Sequence, residues 1–273
     1  MRSIKELPPV AAGACVALRD ALLDILGDDL VGMWLHGGTT FADRSVISGD
    51  LDIAVVIDQL AEAERTPRVW RADPTSRPSR IRAAQAAIAS RLGVQFDTTY
   101  LALEEIGGGR LPRSAFRRAH RENSWAVSRA HWLAGQYVPL HGHGPQNLVV
   151  APTGRELRWA LDRELEHLER HVAEGDAGDP YEATYGILNG CRILRTLETG
   201  DPVISKRSAG DWGLASLPSR WHPAIRAAQR SYDGMASSKD IELVSRWMPE
   251  FVDDVRERLP TRRSARSREP RWS

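Results

Sequence analysis

Cysteine is scarce: the 273 residues hold two, Cys15 and Cys191, far apart and without a C-x-x-C pair. That leaves no material for a disulfide framework or a zinc knuckle, and a reduced cytoplasmic setting is the expectation. Excess charge of either sign is also missing. Lys plus Arg number 37 against 36 Asp plus Glu, so no overall field recommends nucleic acid or an anionic membrane as partner. No run of about 18 apolar residues occurs to span a bilayer. The opening RSIKELPP lacks the apolar core of a secretory leader. Repeats are absent too. What remains is a soluble chain with 42% hydrophobic residues, enough for one large core or two modest ones.

Apolar positions at Val16, Leu18, Leu22, Leu23 and Leu26 recur at helical spacing and predict a helix over about 9–26, stopped near Gly27. The period then changes. VGMWLH (31–36), LDIAVVI (51–57) and VQFDTTYL (94–101) read as strands, and SRIRAAQAAIASRLG (79–93) reads as a helix with a glycine stop. Residues 58–78 and 107–122 carry Pro, Gly and polar residues and read as loops. From Thr153 onward the pattern is helical, over 153–174, 180–199, 206–215, 220–232 and 238–258. The expected fold is therefore α+β. A domain over 1–150 with a small mixed β-sheet flanked by helices precedes an all-α bundle over 151–260, and the basic, aperiodic stretch 261–273 is expected to be disordered.

The chemistry concentrates in LHGGTTFADRSVISGDLDIAVVID (Leu35–Asp58). Asp50 and Asp52 are two apart, on one face of a strand and roughly 7 Å apart at the backbone. Carboxylates this close repel one another unless a cation neutralises them. Magnesium is the natural candidate, being hard, oxygen-seeking and accustomed to bridging carboxylates and phosphates. Asp97 is a third acid among apolar strand neighbours, and an adjacent strand can bring it to the same spot. The Gly37-Gly38 turn lets backbone N–H groups approach phosphate oxygens, with the Thr39 and Thr40 hydroxyls as further donors. Three strand-borne acids beside a glycine turn suggest metal-assisted transfer of a phosphorus group.

Strand, Gly-Gly, an eleven-residue spacer and then Asp-hydrophobic-Asp-hydrophobic resembles the signature of the DNA polymerase β-like nucleotidyltransferase superfamily. A second segment, GILNGCRILRTLETGDPVISKRSAGDWGLASLP (Gly186–Pro218), resembles the C-terminal helical domain of the aminoglycoside (3'')/(9) adenylyltransferases. In that family a helix with a central arginine precedes a T-G turn, a lysine opening the next helix, a tryptophan and a terminal L-P. Arg192, Thr199-Gly200, Lys206, Trp212 and Leu217-Pro218 stand in those places.

The resemblance implies an N-terminal nucleotidyltransferase domain and an enzyme that moves AMP from ATP to a hydroxyl of an aminoglycoside or aminocyclitol such as streptomycin or spectinomycin; two domains around a cleft would suffice as a monomer. It implies Asp50 and Asp52 as magnesium ligands, and Asp97 as general base or third ligand. The family has Glu at that last place, one methylene longer. Gly37, Gly38, Thr39, Arg192 and Lys206 would contact the nucleotide. A cationic acceptor calls for acids, and Glu174, Asp176, Asp179 and Glu182 fall where the family's acidic drug contacts lie. Trp125 or Trp132 would serve as an aromatic drug contact. Two other readings stay open: a nucleotidyltransferase acting on a protein or RNA end, and a nucleotide-binding module without catalysis.

Other features read as ordinary structure. His167 and His171 are spaced i, i+4, but HLERH is not H-E-x-x-H and brings no third ligand. His141-Gly-His143 reads as loop, Gly107-Gly-Gly lacks a dinucleotide-binding context, and His36 reads as a packed strand residue.

Overall fold

The computed structural model describes residues 3–41, 43, 50–61, 64, 71–107, 124–175 and 178–259. The predicted tail 261–273, most of the 107–122 stretch and Asp176 lie outside them. The chain divides into two compact units, Met1–Pro152 and Thr153–Ser273.

In the first unit, helix α1 (Pro9–Leu26) starts with proline at its first turn, where the missing N–H costs nothing. Strands β1 (Leu30–His36), β2 (Leu51–Ile57), β3 (Phe96–Ala102) and β4 (Val138–Gly142) form one sheet in the order β3-β2-β1-β4. β1 pairs antiparallel with β2 and β4, whereas β2 and β3 run parallel. A parallel pair needs a crossover, and helix α2 (Arg77–Leu92) supplies it, with Ser76 capping its start and left-handed Gly93 its end.

Alternation along the strands divides the apolar residues between two faces. Met33, Leu35, Leu51, Ile53, Val55 and Ile57 pack with α1 and α2. Trp34, Ala54, Val56 and Leu101 face the other way, onto Ile106 of the short helix α3 (Leu103–Ile106) and onto Trp125 and Trp132 of α4 (Trp125–Leu133). Trp132 meets Trp34 and Trp125 edge-on, at centroid separations of 5.1 and 5.6 Å. Helix α4 and strand β4 were not legible in the sequence, and the predicted 141–143 loop is corrected here: His141 and Gly142 belong to β4.

Among the described residues the second unit holds five α-helices: α5 (Gly154–Glu174), α6 (Pro180–Thr199), α7 (Lys206–Ser216), α8 (His222–Tyr232) and α9 (Ser238–Arg258). Capping boxes open α5 (Thr153 with Glu156) and α9 (Ser237 with Asp240). The central helix α6 is buried on most sides and packs on α9 through Gly186 and Gly190. A Cβ at either would lie 2.6 Å from Met248 or Phe251. Arg256 of α9 grips Glu169 with two hydrogen bonds, of 2.6 and 2.7 Å, and Asp162 with a third of 2.8 Å. Both cysteines are buried and unpaired, and burial pushes each thiol up to about 12.

Candidate active site

The parallel register sets Asp52 opposite Asp97, and the antiparallel register sets it opposite His36. Asp50 stands immediately before β2 rather than within it, and Asp52 is its second residue. By strand parity Asp52 and Asp97 share the tryptophan-lined face of the sheet. One carboxylate oxygen from each of Asp50, Asp52 and Asp97 lies within 4.8 Å of the other two. Asp97 is only 5% exposed, and the other two are half-buried.

At that separation each ionised pair repels by roughly 3 kcal/mol at an effective dielectric of ~20. Three hard oxygen donors, two on strands and one immediately before β2, fit a divalent magnesium-like cation in both ligand type and charge.

The Gly37 turn closes one side of this cluster. β1 ends at His36, and Gly37–Thr40 form a single 3-10 turn stitched by the Thr40 hydroxyl donating to the Gly37 carbonyl at 2.8 Å. Gly37 sits at φ +73°, and a Cβ there would lie 2.0 Å from Asp52 Oδ2. The glycine is therefore required twice, for its left-handed backbone and for the room it leaves the carboxylate. Thr39 and Thr40 are buried. The His36 ring packs edge-on against Trp132, 5.2 Å between centroids, which makes it part of the wall.

The remaining sequence candidates lie on other elements. Trp125 is 7% exposed and is committed to the aromatic cluster beneath the sheet. Asp179 is the N-cap of α6, its Oδ1 accepting from the N–H groups of Tyr181 and Glu182 at 2.7 and 3.2 Å. Glu182 lies 3.6 Å from His171 Nδ1. His171 stacks edge-on with His167, 4.3 Å between centroids, and burial, foremost, pulls the His167 pKa below its ordinary 6.5. Arg192 lies on α6 with Nη1 donating to Asn189 Oδ1. Lys206 is the first residue of α7, which Ser205 caps, and its ammonium lies 4.3 Å from the centre of the Tyr185 ring and 5.9 Å from that of Tyr232.

A lysine at a helix N-terminus works against the helix dipole. The first turn of α7 contains no acid, and cation and dipole together suit an incoming anion. Sequence reasoning missed Asn189 and Tyr185, which contact Arg192 and Lys206 respectively, and Glu164, which accepts from both of them. The i, i+4, i+7 spacing of Tyr185, Asn189 and Arg192 was the available signal.

Residues 151–258 match the family model for the aminoglycoside adenylyltransferase C-terminal domain. The helical unit is similar to that domain over nearly its whole described length. Spectinomycin 9-adenylyltransferases of Staphylococcus aureus strains Mu50 and N315 are each 24% identical over 225 residues, covering 79% of this chain and 83% of theirs. The crystal structure of spectinomycin adenyltransferase AAD(9) from Enterococcus faecialis with ATP and spectinomycin superposes with a TM-score of 0.61 at 16% identity. The match spans 88% of this chain and 98% of that one. It shows the α+β fold with its helical C-terminal region, and these comparisons return the adenylyltransferase family that the sequence motifs resemble. Among the described residues no helix is long and apolar enough to cross a membrane.

Proposed function

We propose that the protein is a magnesium-dependent adenylyltransferase that transfers AMP from ATP to a hydroxyl of an aminocyclitol or aminoglycoside, with spectinomycin and streptomycin as the first acceptors to test. The observation that carries this is the three-carboxylate cluster at the Gly37 turn, supported by the match of residues 151–258 to the aminoglycoside adenylyltransferase C-terminal domain.

Asp50, Asp52 and Asp97 would hold magnesium, which when bound neutralises phosphate charge and stabilises the charge developing on the departing pyrophosphate. We assign Asp97 as the third ligand, because one of its carboxylate oxygens lies within 4.8 Å of an oxygen of both Asp50 and Asp52. The chain's own part is positional. β2 and β3 fix two of the acids in register, and the Gly37 turn leaves Asp52 its space and offers backbone N–H groups at the same end of the sheet. Arg192 and Lys206 are assigned to the triphosphate, where a guanidinium fork and an ammonium each match phosphate oxygens. Glu182 and Asp179 are the proposed acids for a cationic acceptor; Asp179 would combine that role with capping α6.

The test is incubation with magnesium, α-labelled ATP and a drug panel. Label on spectinomycin or streptomycin is expected, and Asp52→Asn is expected to lower transfer by at least ~10³-fold while leaving the circular dichroism spectrum unchanged. Label on macromolecules, ATP binding without transfer, or an active Asp52→Asn variant would each overturn the reading.

A further inference from the structure

One carboxylate that no motif marks lies behind both proposed phosphate-binding cations. Glu164 of α5 accepts, at a single oxygen Oε1, from the Tyr185 hydroxyl at 2.7 Å and from Asn189 Nδ2 at 3.2 Å. Each contact leads on to a cation. Asn189 Oδ1 accepts from Arg192 Nη1 at 3.1 Å, and the Tyr185 ring presents itself to Lys206 Nζ at 4.3 Å. We propose that Glu164 is a positioning residue that sets Arg192 through Asn189, and Lys206 through Tyr185, for binding the nucleotide triphosphate. This rests on the function proposed above.

The physical case has two branches. An ionised carboxylate only accepts hydrogen bonds. Asn189, 3% exposed, must therefore turn its NH₂ toward Glu164, which leaves its carbonyl oxygen toward the guanidinium. The arginine, a donor only, favours the same orientation from the other side, and without Glu164 the amide is held from that one side alone. On the other branch, the Tyr185 hydroxyl donates to a charged acceptor. That bond anchors the phenol and enriches its ring with electron density, which strengthens the attraction for the Lys206 ammonium. Each branch reaches its cation through a neutral group, the Asn189 amide or the Tyr185 ring, rather than through the carboxylate itself.

The measurement is the Kd for ATP with magnesium present, by titration calorimetry, together with KM values for ATP and acceptor and a thermal melt of each variant. Arg192→Ala and Lys206→Ala serve as benchmarks. Glu164→Ala is expected to weaken ATP about tenfold. Asn189→Ala, which breaks one branch, and Glu164→Gln, which still offers an acceptor oxygen, are each expected to weaken it about threefold. The KM for the acceptor is expected to stay within twofold of wild type. If Glu164→Ala does not fold, Glu164→Gln and Asn189→Ala decide the question. Lower melting temperatures with unchanged ATP affinity would make Glu164 merely a helix tie and overturn the proposal alone. ATP affinity that ignores Arg192→Ala and Lys206→Ala, or a wild type that does not bind ATP, would instead overturn the functional reading beneath it.

Discussion

Replacing Gly37 with alanine tests the site and its construction together. The added Cβ would lie 2.0 Å from Asp52 Oδ2, 2.7 Å from its Cγ and 3.0 Å from its Cβ. Ordinary contact is about 3.5 Å, so the carboxylate must retreat by about 1.5 Å or the turn must move. Displacement of about 1 Å in a catalytic group costs about 10²-fold in rate, equivalent to ~2.7 kcal/mol of activation free energy. Holding alanine at φ +73° adds about 1–2 kcal/mol of backbone strain, or a fall in melting temperature of roughly 5 °C for a chain of this size.

Gly93→Ala provides the control. That glycine is also left-handed, at φ +64°, but a Cβ there meets nothing within 4 Å. Both variants are expected to melt earlier, and only Gly37→Ala to lose AMP transfer and magnesium-dependent thermal stabilisation. Equal activities in the two variants, or transfer by Gly37→Ala within threefold of wild type, would refute the claim that this turn is shaped around Asp52.

Gly190→Ala should destabilise the helical unit even though alanine is the better helix former by about 1 kcal/mol. Its Cβ would meet Phe251 Cε1 at 2.6 Å; Phe251 is wholly buried and packed against Trp221. Overpacking of about 1–3 kcal/mol therefore prevails, which denaturant titration will register as a lower midpoint. The depressed His167 pKa makes the folded protein bind fewer protons than the unfolded chain just below pH 6.5. Stability should hold above that pH and decline as pH falls through the interval down to the folded-state pKa. The slope of melting temperature against pH there should flatten in His167→Gln, and an unchanged slope would dismiss the residue as its source.

The sequence made the elements with strong periodicity visible. Helices 180–199 and 238–258 and strand 51–57 were read with their observed bounds, because each has a clear apolar period and a recognisable cap or glycine stop. The acidic cluster was legible too, since Asp50 stands just before, and Asp52 within, an otherwise apolar strand that follows a glycine pair. Helix α4 was missed because SWAVSRAHWL spreads its apolar residues around the axis, both faces being covered, so no one-sided period appears. Glu164 was invisible for a different reason. Its partners lie on another helix, and its local context, DRELEHLER, reads as an ordinary charged surface.

Because Asp97 faces Asp52 across a parallel pair, the acids depend on a chain segment that leaves the sheet and returns. A residue gained or lost within that excursion can be absorbed by the connection between β2 and α2. The same event at positions 96 or 97 would exchange Asp97 with Phe96 or Thr98, whose side chains point to the opposite side, and would drive a carboxylate toward oil. Length variation among relatives should thus be free in the crossover and forbidden at the mouth of β3, a boundary between drift and constraint only a few residues wide.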